Sequence, residues 1–268
     1  MHTAHLSVGG NDLSIETGKL AKQADGAVIV SYGETVVLVT ACYTPTQREG
    51  IDFLPLTVDF RENTYASGRI PGGFFKREGK PTEKEVLTSR LIDRPIRPLF
   101  PSAWHHETQV VALVLSSDVD NDPDVLGLTG ASAALALSSM PLERTIAAVR
   151  VGLIDGEFLV NPTYEERQKS RLDLIVAGST DAIVMVEAGA TELSEEEMLT
   201  ALETGHGAIR QIVNTIDEMA TAVGKKKLSI EAPVIDGALV TRVESQVLGP
   251  LTDAMKLPDK LESYTQVD

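Results

Sequence analysis

Apolar and polar positions alternate through the first third of the chain, and the alternation breaks at turn residues. Residues 13–16 (LSIE) alternate weakly. Residues 27–32 and 35–42 are β-branched runs separated by Gly33-Glu34, a Gly-first two-residue hairpin signal, so the spacing predicts two paired strands. Residues 52–61 predict a further strand, with Pro55 marking an edge or bulge because proline cannot donate to a ladder. The pattern then changes period. Thr82-Glu-Lys-Glu85 is a capping box that opens a helix. That helix is expected to stop near Asp93 or Arg94, since Pro95 disfavours helical geometry at the residue before it. Residues 110–115 read as a buried strand and 123–138 as a helix dense in small residues, suited to close packing. Residues 146–154, 158–160, 172–177 and 183–186 predict more strands. A second capping box, Ser194-Glu-Glu-Glu197, opens a helix with apolar residues on one face. Gly224 and the three lysines 225–227 mark its end. Ala232-Pro233 reads as a linker, and residues 235–268 carry a helical pattern too short to bury alone. The fold class expected is α+β: mixed sheets with flanking helices over residues 1–232, then the start of an all-helical part over 233–268.

Composition narrows the function classes. The chain has 268 residues, 43% of them hydrophobic and 24% charged, enough apolar material for a core. No run approaches the length of a membrane span, and the N-terminus lacks the cationic start and apolar stretch of a signal peptide, so a cytoplasmic protein is expected with no membrane partner. Cys42 is the only cysteine, which excludes an internal disulfide; its apolar run predicts a buried packing residue.

Net charge is −15, which taken alone argues against a polyanion partner. The distribution reverses that reading. Residues 69–97 hold eight Lys/Arg and four acids, so that segment is +4 and the remainder −19. One basic stretch on an acidic body admits polyanions at one place and repels them elsewhere. At its centre lies GRIPGGFFKREGKP, residues 68–81. The spacing from Gly73 to Gly79 is one too long for a P-loop, and Pro81 stands where Ser or Thr would be needed. What remains is Phe74 and Phe75 followed by Lys76 and Arg77. Aromatic faces stack on bases while cations track phosphates, which suits a single strand; the same phenylalanines would equally serve as a plug fixing the loop to the core. Arg90 and Arg94 share a face of the helix beginning at Thr82, with Arg97 just past its expected end. Three guanidiniums there suit an anion, or they complement the helix dipole and pair with Asp93. His105-His106-Glu107 diverges on an extended chain and is a poor metal set, and His206 reads as a packing or surface residue.

The motif at 68–79, with TSRLIDRPIRPLF at 88–100, GASAAL at 130–135, LDLIVAG at 172–178 and YTQVD at 264–268, closely resembles the first core of the bacterial polynucleotide phosphorylases. The resemblance runs from end to end. It implies an RNase PH-like core and the beginning of a helical linker domain. It also implies a phosphate-dependent 3′-5′ exoribonuclease that releases nucleoside diphosphates, forms a homotrimeric ring around single-stranded RNA and joins RNA-degradation complexes. It implies that Phe74, Phe75, Lys76 and Arg77 line the channel, with Lys76 standing where arginine is common, and that Arg90 and Arg94 contact RNA or phosphate. The departures matter as much. Where the family's catalytic second core carries a serine-rich phosphate cradle, this chain has NDPDV at 121–125. Where that core has two aspartates and a lysine, this chain has Arg167, Asp173 and Ile175, of which only Asp173 matches. Phosphate, Mg²⁺ and the general acid are therefore expected in a second core, and no catalytic residue is expected here. The alternative reading is a non-catalytic RNA-binding ring subunit.

Overall fold

The computed structural model describes residues 1–47, 50–73, 76–230 and 236–268. It separates into two units, 1–230 and 231–268. In the first unit, among the described residues, β1 (His2–Val8), β2 (Asn11–Thr17), β3 (Gly26–Tyr32), β4 (Thr35–Gln47), β5 (Leu56–Arg61) and β6 (His106–Ser116) form a six-stranded sheet in the order β1-β2-β3-β4-β6-β5. Neighbours are antiparallel except β5 and β6, which run parallel, so the sheet is mixed. A four-stranded antiparallel sheet in the order β10-β9-β7-β8 holds β7 (Ala147–Ile154), β8 (Glu157–Val160), β9 (Leu172–Gly178) and β10 (Ile183–Ala190). Gly33 makes the hairpin turn at φ 60°. β5 is an edge strand and begins just after Pro55, because the ladder cannot use that proline's nitrogen. The α+β expectation holds; β1, too polar to read as a strand, is an addition.

Helix α2 (Asp124–Leu137) lies against β3 and β4 of the first sheet and β7 of the second, and every one of its residues is buried. Small residues let it approach so closely. A Cβ at Gly130 would stand 2.6 Å from Val39 Cγ2 and 3.0 Å from Val30 Cγ2. Its two hydroxyls are tied to β7 and the residue before it: Ile146 N–H donates to Ser132 Oγ at 2.9 Å and Ala148 N–H to Thr129 Oγ1 at 3.2 Å. Gly130→Val should lower stability by about 1–3 kcal/mol, the range for overpacking a filled core. An unchanged urea midpoint would show that this contact is looser than it stands.

Helix α1 (Glu83–Ile96) starts at the expected capping box: Glu85 N–H donates to Thr82 Oγ1 at 3.2 Å and Thr82 N–H to Glu85 Oε2 at 2.6 Å. It does not stop before Pro95. The proline is buried with Leu91, Ile92 and Ile96, and a 3₁₀ turn (Arg97–Leu99) continues it. So near the helix end the proline forfeits one hydrogen bond, which burial of these apolar side chains offsets. Cys42 is also corrected. It is exposed, because β4 alternates and its inward positions are Val37, Val39 and Ala41. α3 (Tyr164–Lys169) carries a capping box of its own, Thr163 with Glu166. α4 (Glu195–Val223), opened by Ser194 and Glu197, packs on β7, β9 and β1. Beyond it Lys227 Nζ donates to the Leu135 and Ser138 carbonyls at 2.7 and 2.9 Å, closing the C-terminal end of α2; burial lowers this amine to a pKa of about 8.

In the second unit the described residues form α5 (Gly237–Met255), capped by Asp236, and α6 (Lys260–Val267), capped by Asp259. The linker expected at Ala232-Pro233 lies outside the described residues. Leu239, Val243, Val247 and Leu261 are exposed and Ala254 is buried. Among the described residues no helix is long and apolar enough to cross a membrane.

Candidate functional site

Two neighbouring regions carry the charge that the sequence singles out. The first is the basic loop and the outer face of α1. Phe74 and Phe75 lie outside the described residues. Lys76 and Arg77 are exposed and border a cavity of about 850 Å³ together with Arg61, Lys80 and Glu78. Arg61 also lines a second cleft, of about 370 Å³, between β5 and α1, where Arg90 and Arg97 project. Arg61 thus joins the two cationic surfaces. Sequence reading missed it, because it closes an apolar strand and stands outside the basic stretch. Arg94 is exposed but borders neither cavity.

Arg97 is used differently from its neighbours. Its Nε and Nη2 donate to the Asp93 carboxylate at 3.0 and 2.6 Å, and Nη1 and Nη2 donate to the Leu54 and Leu56 carbonyls at 3.0 Å each. These hydrogen bonds fasten the end of α1 to the start of β5. The pairing with Asp93, one of the two readings its position allows, is present in the structure. A guanidinium so engaged has little left to offer a phosphate.

The second region is a cavity of about 560 Å³ between α1 and the edge of the four-stranded sheet. Its polar wall is a network of opposite charges. Arg150, from the middle of β7, bridges Asp124 and Asp173 through its two terminal nitrogens. Arg167, from α3, donates to Asp122 at 2.9 Å and to Asp173 at 3.1 Å. Lys84, from α1, lies 3.3 Å from Asp122 and 2.8 Å from Glu62. Burial alone would raise the Asp122 and Asp173 carboxyls, but Lys84, Arg150 and Arg167 at Asp122, and the two arginines at Asp173, outweigh it and hold both below the ordinary aspartate range. Asp124 goes the other way: burial, reinforced by the Asp122 charge, pushes it up even beside Arg150. Burial also works against charged Lys84, yet Asp122 and Glu62 keep it above the usual lysine value.

So Asp122 and Asp124 of the NDPDV stretch, which stands where a phosphate cradle would be, and Asp173, the one match to the catalytic pattern, are all paired with Arg150 or Arg167. Arg150 escapes the sequence because a lone arginine in an apolar strand gives no motif. Mg²⁺, which the resemblance implies for the family, does not fit this cavity. Its three aspartates are engaged by guanidinium and ammonium groups, and no cluster of three or more potential metal ligands is present among the described residues. His105-His106-Glu107 forms no such cluster either; the His106 ring lies tilted against Trp104, 4.3 Å between ring centres.

Comparison with known proteins agrees with this architecture. Residues 10–141 match the 3′ exoribonuclease family, domain 1, and residues 145–208 match the 3′ exoribonuclease family, domain 2. The polyribonucleotide nucleotidyltransferase of Koribacter versatilis is 55% identical over 97% of this chain and 32% of its own length; that of Nitrobacter winogradskyi is 51% identical over 99% and 37%. The chain therefore spans about a third of the length of these relatives. Rice Rrp46 has the same fold at a TM-score of 0.61 with 17% identity, over 77% of this chain and 94% of that one. A chain of the Archaeoglobus fulgidus exosome, solved with RNA bound to the active site, gives 0.60 with 19% identity, over 74% and 86%. Matched in sequence by both domains of the family and in fold by these structures, the chain belongs to the 3′ exoribonuclease family.

Proposed function

We propose that residues 1–232 form an RNA-gripping, non-catalytic RNase PH-like core of a polyribonucleotide nucleotidyltransferase, and that 233–268 begin its helical linker domain. The enzyme would degrade RNA from the 3′ end with inorganic phosphate, releasing nucleoside diphosphates, in the cytoplasm. Phosphate and Mg²⁺ would act in a second core, and the cores would assemble as a homotrimeric ring around single-stranded RNA, with RNA-degradation proteins as further partners. The names of the relatives support the activity. The observation that carries the division of labour is the pairing of Asp122, Asp124 and Asp173 with Arg150 and Arg167. A cavity whose cations are already neutralised has no charge to spend on a phosphate dianion.

RNA contact is assigned to Phe74, Phe75, Lys76 and Arg77 of the loop and to Arg90 and Arg94 of α1. Arg97 serves by fastening α1 to β5, and Arg61, which borders both cavities, holds the loop through the Glu78 carbonyl. Exposure of Lys76, Arg77, Arg90 and Arg94 on an otherwise acidic chain supports this reading. The double variant Lys76→Ala/Arg77→Ala should bind a labelled oligoadenylate about tenfold more weakly, with the slope of log K against log salt shallower by about 0.7 for each phosphate left without its cation. Unchanged affinity and slope, measured by fluorescence anisotropy across a salt series, would remove the loop from the RNA path.

A further inference from the structure

Glu78 is an acid inside the most basic stretch of the chain, one residue after Arg77. It is also one of the few non-glycine residues at positive φ, 45°. A side chain held there costs free energy that glycine would avoid, so its retention calls for a compensating contact. The contact is plain. The Glu78 carboxylate accepts the Thr64 N–H at 2.8 Å and the Thr64 hydroxyl. The Glu78 carbonyl accepts Arg61 Nη2–H at 2.6 Å. Arg61 in turn lies 3.4 Å from Glu85, whose other oxygen closes the α1 capping box. Side chain and main chain of one residue therefore tie the basic loop both to the 3₁₀ turn at Thr64–Ser67 and to the end of β5.

We infer that Glu78 is the positioning residue of the basic loop, a clamp that aims Lys76 and Arg77 into their cavity. This rests on the reading of that loop as an RNA contact. By charge alone, removing a carboxylate from a cavity bordered by Arg61, Lys76, Arg77 and Lys80 should tighten RNA binding, since a polyanion gains from every acid removed. A clamp predicts the reverse for one variant and not for another. Glu78→Gln keeps an amide oxygen able to accept both Thr64 donors, so its RNA affinity should equal or exceed that of the parent. Glu78→Ala loses the acceptor and, despite the charge it sheds, should bind about three- to tenfold more weakly with a shallower salt slope. Thr64→Val, which removes one donor and no charge, should weaken binding less, in the same direction.

The experiment measures oligoadenylate affinity by anisotropy across a salt series for the intact protein, these three variants, and Lys76→Ala/Arg77→Ala, with urea midpoints alongside. Weaker binding by Glu78→Ala, rescued in Glu78→Gln, supports the clamp. If Glu78→Ala binds as tightly as the parent while Lys76→Ala/Arg77→Ala is weakened, the clamp is wrong and the RNA reading stands. If Lys76→Ala/Arg77→Ala binds normally, the RNA reading falls and takes the clamp with it. Should Glu78→Ala unfold, Thr64→Val decides: normal affinity in that variant overturns the inference.

Discussion

Replacing Arg150 by methionine should cost about 3–5 kcal/mol of unfolding free energy, the range for breaking a buried ion pair by removing one partner. Arg150 is buried in mid-strand, and its guanidinium bridges Asp124 to Asp173. Methionine fills similar volume but leaves Asp124, buried at the start of α2, without its counter-ion. The penalty is desolvation of a carboxylate that can no longer be answered. A second substitution should then return part of the loss. In Arg150→Met/Asp124→Asn the remaining amide is neutral, so the double variant should be more stable than Arg150→Met alone. Urea denaturation of the three proteins tests both statements. A single variant as stable as the parent would show that the network holds nothing together.

The same pairs set an acid dependence whose sign can be worked out. Asp122 and Asp173 are lowered from 3.8 in the folded state, so each binds fewer protons folded than unfolded. Their contribution is present above the ordinary aspartate range and is lost as the pH falls through their lowered values. Asp124, raised from 3.8, runs oppositely and disfavours the fold once it is charged. The stability gap between parent and Arg150→Met should therefore narrow as the pH falls, first as Asp124, raised further once Arg150 is gone, takes up its proton in the variant, and then as the pH drops below 3.8 towards the lowered value of Asp173 in the parent.

What the sequence made legible follows from the range of the forces involved. Capping boxes are local, and Thr82 with Glu85 and Ser194 with Glu197 form as read. Thr163 with Glu166 makes a third that passed unread behind a proline. The hairpin at Gly33-Glu34 and the small-residue helix α2 were equally plain, because turn chemistry and side-chain volume act where they stand. Errors came from tertiary context. Cys42 sits in an apolar run but on the open face of β4, and a run alone does not say which face is covered. Pro95 stays helical because the apolar side chains beside it are buried. The ion-pair network was beyond reach for the same reason: Asp122, Asp124, Arg150, Arg167 and Asp173 are scattered along the chain, and only the folded sheet brings them together.

Given single-stranded RNA, inorganic phosphate and Mg²⁺, the 268-residue chain should release no nucleoside diphosphate above a protein-free blank. Phosphorolysis requires a phosphate dianion held by unspent donors against the 3′-terminal linkage, and transition-state charge must meet preorganised positive groups. In the cavity of about 560 Å³ the positive groups are Arg150, Arg167 and Lys84, and each already faces a carboxylate. A dianion entering there would have to displace Asp122 or Asp173 from a guanidinium while facing the remaining aspartate charge, so entry is opposed twice. A divalent cation meets the converse difficulty, since the aspartates it would need are neutralised by cations that their carboxylate partners keep charged despite burial. RNA binding by the loop should persist in the same sample, which separates a chain that grips without cutting from one that has merely unfolded. Phosphate-dependent release of nucleoside diphosphate that disappears in an Asp173→Asn variant would place chemistry in this cavity and overturn the assignment.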